Sequence, residues 1–265
     1  MPSLEIHGVE LSWWEQGSGP PLLCLHETAT CAEVWRPLAG SLGEAVRLIA
    51  PDRRGWGSSG APQSYLRTTV EEQAEDAVGL IETLGLGSAI LCGAGLGAVA
   101  ALDLVLRRPE LVSAAVLIEP PLLAFLPEAT EGLSSDRVVI GDAVAASGPE
   151  GGLELYLAGG LAYLGAGAGR IPAELAAIAR RTPLSLFAEL AAVPGWAIAG
   201  SRLTRNEVRC TVVVGASTPP LLRAAAGQLV ARLGEAEQLA VGGEGLPQID
   251  AAAELAAAIS ELAPG

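Results

Sequence analysis

Short apolar and β-branched runs alternate with Ala/Leu-rich stretches of helical period along most of the chain. This alternation restricts the fold to a mostly parallel sheet covered on both faces by helices. Eight runs read as strands, at residues 4–6, 10–14, 22–26, 46–50, 89–93, 114–119, 210–215 and 238–241, and the first two suit an antiparallel opening hairpin. The spacing Thr69-Val70-Glu71-Glu72 is that of a capping box, in which hydroxyl and carboxylate satisfy each other's backbone amides; it predicts a helix to about Leu84, stopped by Gly85. Residues 96–107 are apolar nearly all round, which predicts a helix buried at the centre with its N-terminus facing the cleft. The alternation fails between Pro127 and Asn206, where short helical stretches are joined by Gly- and Pro-containing segments. We therefore read residues 127–206 as a helical cap inserted into a core formed by 1–126 and 207–265, with the Gly-rich stretch 159–169 inside the cap.

Composition narrows the partners. The 265 residues carry 30 acidic and 16 basic side chains, a formal charge of −14, which disfavours a phosphate-tracking surface and hence nucleic acid. Half of the residues are apolar and 17% are charged, enough apolar material for a large core without disulfides or metals. Cys24, Cys92 and Cys210 lie in apolar strand-like runs and Cys31 just beyond one; these read as reduced core thiols, and no CxxC pair suggests a metal site. The opening residues lack a cationic segment followed by an apolar run, and no apolar stretch of about 20 residues is present, so a cytoplasmic protein without membrane contact is expected. The oligomeric state is not legible.

Four places resemble the alpha/beta-hydrolase superfamily. Leu22-Leu23-Cys24-Leu25-His26-Glu27-Thr28 is similar to the strand leading into its oxyanion loop, and Asp52-Arg53-Arg54-Gly55-Trp56-Gly57-Ser58-Ser59 to its D-x-R-G-x-G-x-S turn. Gly93-Ala94-Gly95-Leu96-Gly97 occupies the place of the G-x-S-x-G nucleophile elbow, and Val241-Gly242-Gly243-Glu244-Gly245-Leu246-Pro247 that of the loop with the catalytic histidine. The resemblance implies an alpha/beta-hydrolase fold with about eight strands and a cap. It also implies vacated catalytic positions: Gly95 stands in the nucleophile's place, Gly245 in the base's, and Thr218 near the acid's. The same turn motif implies a structural ion pair of Asp52 with Arg54.

Only two histidines exist, His7 in the opening hairpin and His26 at the end of the third strand. His26 is thus the one candidate cleft imidazole, with a structural and a proton-transfer reading both open. Loss of serine leaves the elbow's electrostatics intact, because the amide of Leu96 at a helix N-terminus and that of Thr28 or Glu27 across the cleft can still form an oxyanion hole. Glu27 and Glu119 end strands at the same sheet edge, where open α/β folds bind ligands. Two carboxylates in an apolar cleft raise each other's pKa, which yields general acid–base groups near neutral pH. A structural role, hydrogen bonding to loop amides or pairing with an arginine, is the other reading of each, and Glu244 reads as solvated. Trp35 and Trp56 follow loops bordering the cleft and are candidate walls of an apolar ligand site, with core packing as the other reading of each. No cofactor is indicated, since the Gly-rich elbow lacks the acidic ribose partner of a dinucleotide fingerprint. The leading expectation is an enzyme acting on a small apolar molecule with Glu27, Glu119 and His26 by water-mediated hydrolysis, elimination or cyclisation. A non-catalytic ligand-binding protein is the alternative, and a hydrolase with an unrecognised Ser or Cys nucleophile the third.

Overall fold

In the computed structural model, which describes residues 1–263, eight strands form one sheet: β1 (Ser3–Ile6), β2 (Val9–Gln16), β3 (Pro21–Leu25), β4 (Arg47–Pro51), β5 (Ala89–Ala94), β6 (Val112–Ile118), β7 (Cys210–Gly215) and β8 (Ala236–Val241). Their order is β1-β2-β4-β3-β5-β6-β7-β8. β2 runs antiparallel to both β1 and β4, and every other pairing is parallel. The opening hairpin closes through His7 at φ 49 and Gly8 at φ 75, two left-handed residues in succession as a type I′ turn requires. His7 is therefore an exposed turn residue, with Nδ1 3.7 Å from Asp76 Oδ1.

The helices that cover the sheet are α1 (Arg36–Leu42), α2 (Val70–Thr83) and α3 (Leu96–Arg107) before the sixth strand. After it come α4 (Ala129–Leu157), α5 (Ala173–Ala179), α6 (Pro183–Glu189), α7 (Ala192–Gly195), α8 (Gly200–Thr204), α9 (Pro220–Val230), α10 (Pro247–Asp250) and α11 (Ala252–Leu262). α4 through α8 all lie between β6 and β7, and α4 is broken at Ser147 and Gly148, whose φ values are −141 and 71. No helix among the described residues is long and apolar enough to cross a membrane.

Burial explains the apolar strands. In β3, Leu23 and Leu25 join a core cluster with α2 and α3, while the alternating Leu22 and Cys24 join a second with α1 and α11 on the opposite face. The capping box forms as predicted: Thr69 Oγ1 accepts from the Glu72 amide at 3.1 Å and Glu72 Oε2 from the Thr69 amide at 3.0 Å, a device worth about 1 kcal/mol. Gly85, at φ 62, lies just beyond the helix end. All residues of α3 from Leu96 to Val105 are buried. A Cβ on Gly97 would stand 2.1 Å from the Leu25 carbonyl oxygen, and one on Gly93 2.3 Å from that of Gly97. Helix and strands thus meet backbone to backbone, which fixes the N-terminus of α3 at the sheet edge.

Three expectations are corrected. His26 and Glu119 lie one residue beyond β3 and β6; at Glu119 a φ of 47 turns the chain out of the strand. Asp52 does not pair with Arg54: its carboxylate accepts the amides of Ala32 and Ser58, both at 2.7 Å, while Arg54 grips Asp76 with two bonds of 2.6 Å. The turn needs Asp52 to terminate loop amides, which consumes the carboxylate.

Candidate active site

A cavity of about 480 Å³ opens at the carboxyl edge of the sheet, beneath the helical segment between β6 and β7. Its walls are largely apolar, with Leu122, Leu133, Val193, Trp196 and Leu222 among them, and its polar groups include Glu27, Glu119, Arg170, Glu189 and Gln248.

Glu27 packs against Gly95 at the N-terminus of α3. Gly95 holds φ 54 and ψ −123 immediately before α3, a left-handed conformation that glycine adopts without the strain a side chain would bring. A Cβ built on Gly95 would come 2.8 Å from Glu27 Cβ. Gly95 and Glu27 are therefore sterically complementary, since the acid fills space a larger residue at 95 would need. Gln248 Nε2 donates to Glu27 Oε1 at 2.6 Å. Desolvation first, then the charge of Glu119, push the Glu27 carboxyl up from 4.5 to about 7, against the lowering influence of Arg170, the Gln248 bond and Arg53.

Leu96 and Thr28 both line the cavity. As the first residue of α3, Leu96 has an amide without an intrahelical acceptor, at the positive end of the helix. The Thr28 hydroxyl is committed to Glu189 Oε2 at 2.7 Å.

Glu119 reaches the cavity as well, but it is not free. Its carboxylate pairs with both terminal nitrogens of Arg170, a residue of the helical segment, and accepts the Thr218 hydroxyl. Thr218, near the acid's expected position, thus supports Glu119, and its Oγ1 also accepts the Gly215 amide at 2.6 Å. Gly245 is held by its own backbone: the amide donates to Asp250 Oδ2 at 2.6 Å, and the carbonyl accepts from Arg170 Nη1 at 3.1 Å and Ser217 Oγ at 3.2 Å.

His26 is corrected from a proton-transfer candidate to a structural residue. It is fully buried, its Nε2 accepts the Arg53 amide at 2.9 Å, and its Nδ1 lies 2.7 Å from the Glu27 carbonyl oxygen. With Nε2 an acceptor, the proton sits on Nδ1 and is donated to that carbonyl. Burial and then the Arg53 charge hold the ring well below the usual histidine pKa. The imidazole shapes the loop that presents Glu27 and does not face the cavity.

The expectation for Trp35 and Trp56 is corrected too. Both are fully buried; Trp35 packs in the core beside Leu38 and Leu42, and Trp56 donates Nε1 to Glu189 Oε1 at 2.9 Å. The tryptophan that lines the cavity is Trp196. Loop tryptophans pointed inward because each closes a core cluster beneath the loop that carries it.

Sequence reasoning missed Gln248, Arg170 and Glu189. Gln248 follows Gly245 by three residues, in the first turn of α10, so its proximity was discoverable. Glu189 is fully buried and receives Arg53 Nη1 at 2.5 Å, Arg53 Nη2 at 3.2 Å and the groups of Trp56 and Thr28 already described; nothing local in the sequence marks it. Glu244 is exposed. Among the described residues no cluster of three His, Cys, Asp or Glu side chains could hold a metal ion. The four cysteines are buried and unbridged, and burial pushes the thiols of Cys31 and Cys210 up to about 12, which makes them poor nucleophiles.

Comparison with known proteins agrees with this architecture. An epoxide hydrolase of Caballeronia sordidicola is 34% identical over 121 residues, 45% of this chain and 37% of that protein. A 2-(acetamidomethylene)succinate hydrolase of Mesorhizobium japonicum is 33% identical over 172 residues, 64% of this chain and 59% of that protein. The chain therefore spans less than two thirds of the length of these relatives. A thermophilic esterase from Thermogutta terrifontis superposes with a TM-score of 0.75 at 20% identity, covering 98% of this chain and 97% of that one, a likeness of fold. The sequence profile of the Alpha/beta hydrolase family matches residues 6–258, and the chain belongs to that family.

Proposed function

We propose that the protein is a hydrolase of small, mainly apolar molecules in which Glu27 acts as general base on water, with no serine ester formed. The observation that supports this best is the Glu27 carboxyl itself: enclosed beside Gly95, oriented by Gln248, and poised near pH 7. A base of that pKa is half ionised at neutral pH and accepts a proton with little penalty.

In the proposed reaction Glu27 removes a proton from water as the water oxygen bonds to an electrophilic carbon of an ester, lactone or epoxide. Electrons shift onto the substrate oxygen, where the amides of Leu96 and Thr28 stabilise the developing charge. For an ester or lactone the C–O bond then breaks, and the proton held by Glu27 passes to the leaving oxygen, which restores the carboxylate. For an epoxide the ring opens in the attack step and the alkoxide takes that proton.

Glu119 and Glu189 are neutralised by Arg170 and Arg53, so the deep end of the cavity favours a substrate whose reacting end is uncharged. Hydrolysis, rather than elimination or cyclisation, is the reading supported by the partly similar epoxide and 2-(acetamidomethylene)succinate hydrolases.

The test is single turnover in H₂¹⁸O across a panel of esters, lactones and epoxides. The expected result is ¹⁸O in product from the first turnover, none in the protein, and loss of turnover in Glu27→Gln. Label appearing in Glu27, covalent capture by an organophosphonate, or turnover indifferent to Glu27→Gln would overturn the mechanism. Stoichiometric ligand retention without conversion would replace it with a receptor role.

A further inference from the structure

We infer that Gln248 is a positioning residue for Glu27, kept to aim that carboxylate rather than to stabilise the loop it sits on. The inference rests on the proposed role of Glu27.

Three observations carry it. Gln248 is 1% exposed, and the one hydrogen bond recorded for its side chain is the donation from Nε2 to Glu27 Oε1 at 2.6 Å. Its Oε1 is buried without a partner among the described residues. A buried acceptor left unsatisfied costs stability, whereas an apolar side chain of the same shape would cost none, so this is a poor solution to a packing problem. Loop anchoring is already supplied: Asp250 holds the Gly245 amide, Arg170 and Ser217 hold the Gly245 carbonyl, and Pro247 opens α10 at the position where a missing N–H does no harm. What remains for the amide is the carboxylate of Glu27, 221 residues away in sequence.

The direction of the contact is informative. An N–H donor stabilises the ionised carboxylate and fixes one oxygen, which holds the glutamate in a single orientation over Gly95. The other charged or phenolic groups that act on Glu27 or line its cavity are Glu119, Arg170, Arg53, Glu189, Arg137, Tyr156 and Tyr163. The four charged groups that act directly on Glu27 or on the loop beside it are tied into the Glu119–Arg170 and Arg53–Glu189 pairs. Gln248 is therefore the neutral donor whose orientation the ion pairs do not dictate.

The experiment is a ¹³C NMR titration of [¹³Cδ]glutamate-labelled protein, with Glu27 assigned by its loss in Glu27→Gln, comparing wild type with Gln248→Met. Loss of the donor is expected to raise the Glu27 midpoint by about one pH unit, while the Tm stays level or rises. An unchanged midpoint, or a Tm lowered by several degrees, would overturn the assignment, because a structural glutamine would do the second and not the first. Gln248→Asn, which keeps the amide but withdraws it from Glu27, supplies the same titration readout if Gln248→Met does not fold. A shifted midpoint in a protein that turns over no substrate would uphold the role of Gln248 and remove the hydrolase reading. Turnover with an unshifted midpoint would do the reverse.

Discussion

Glu27→Gln isolates the energetic cost of keeping an ionisable group in this cavity. The folded carboxyl titrates near 7 against an ordinary value of 4.5. Between those two pH values the folded state binds more protons than the unfolded one, so wild-type stability falls as pH rises and levels off above about 7. Each tenfold change in proton affinity is worth roughly 1.4 kcal/mol, so the full penalty at alkaline pH is about 3 kcal/mol. Glutamine keeps the shape and offers its oxygen to the Gln248 amide but carries no titration. For a chain of this size about 3 kcal/mol corresponds to roughly 6–12 °C in Tm. Thermal scans from pH 4.5 to 8.5 should show the two proteins close together at the acid end, with the variant pulling ahead through pH 7 and the gap constant beyond. A gap that is flat across the range, or that widens as pH falls, would refute the raised pKa and with it the case for Glu27 as a base at neutral pH. Ionisation of Glu27 would also switch activity on over the interval in which stability declines, so the base is functional where it is most costly to fold.

Two other perturbations probe the surrounding geometry. Gly95→Ser places a side chain at φ 54 and drives its Cβ to 2.8 Å from Glu27 Cβ, so it should lose about 1–3 kcal/mol in urea unfolding and gain no organophosphonate labelling, because His26 is engaged by Arg53; labelling with retained stability would contradict that steric reading. Glu189→Gln removes the partner of a buried guanidinium and should cost about 3–5 kcal/mol, most of it recovered by pairing the change with Arg53→Met; a single variant as stable as wild type would show the ion pair to be inessential.

The fold was legible because its signals are short-range. A capping box needs four consecutive residues, Thr69 to Glu72, and α3 announces itself by ten apolar or small residues among the twelve from Leu96 to Arg107. Gly95 and Gly245 could be matched to the family's elbow and histidine-loop positions for the same reason, since both sit inside local motifs. Glu27 and Glu119 could be placed at one sheet edge by topology alone, and both line the cavity. Trp35 and Trp56 turn away from the cavity, and the choice between the two readings of His26 needed the structure, because orientation is not encoded in position: a residue after a strand can turn into the cleft or into the core beneath it, and packing selects between the two.

The chain's own order of residues thus determined the layered α/β architecture, the family and the glycine that stands at the turn into α3. Tertiary structure alone decided what stands in that space. The contacts of Glu27 with Gln248, Arg53 with Glu189 and Arg170 with Glu119 join residues 221, 136 and 51 positions apart, and no local propensity carries information over such distances. The proton affinity of Glu27 has the same origin. It comes from the water excluded around the carboxyl and from the charges that folding gathers beside it, quantities that exist only once the chain has closed on itself.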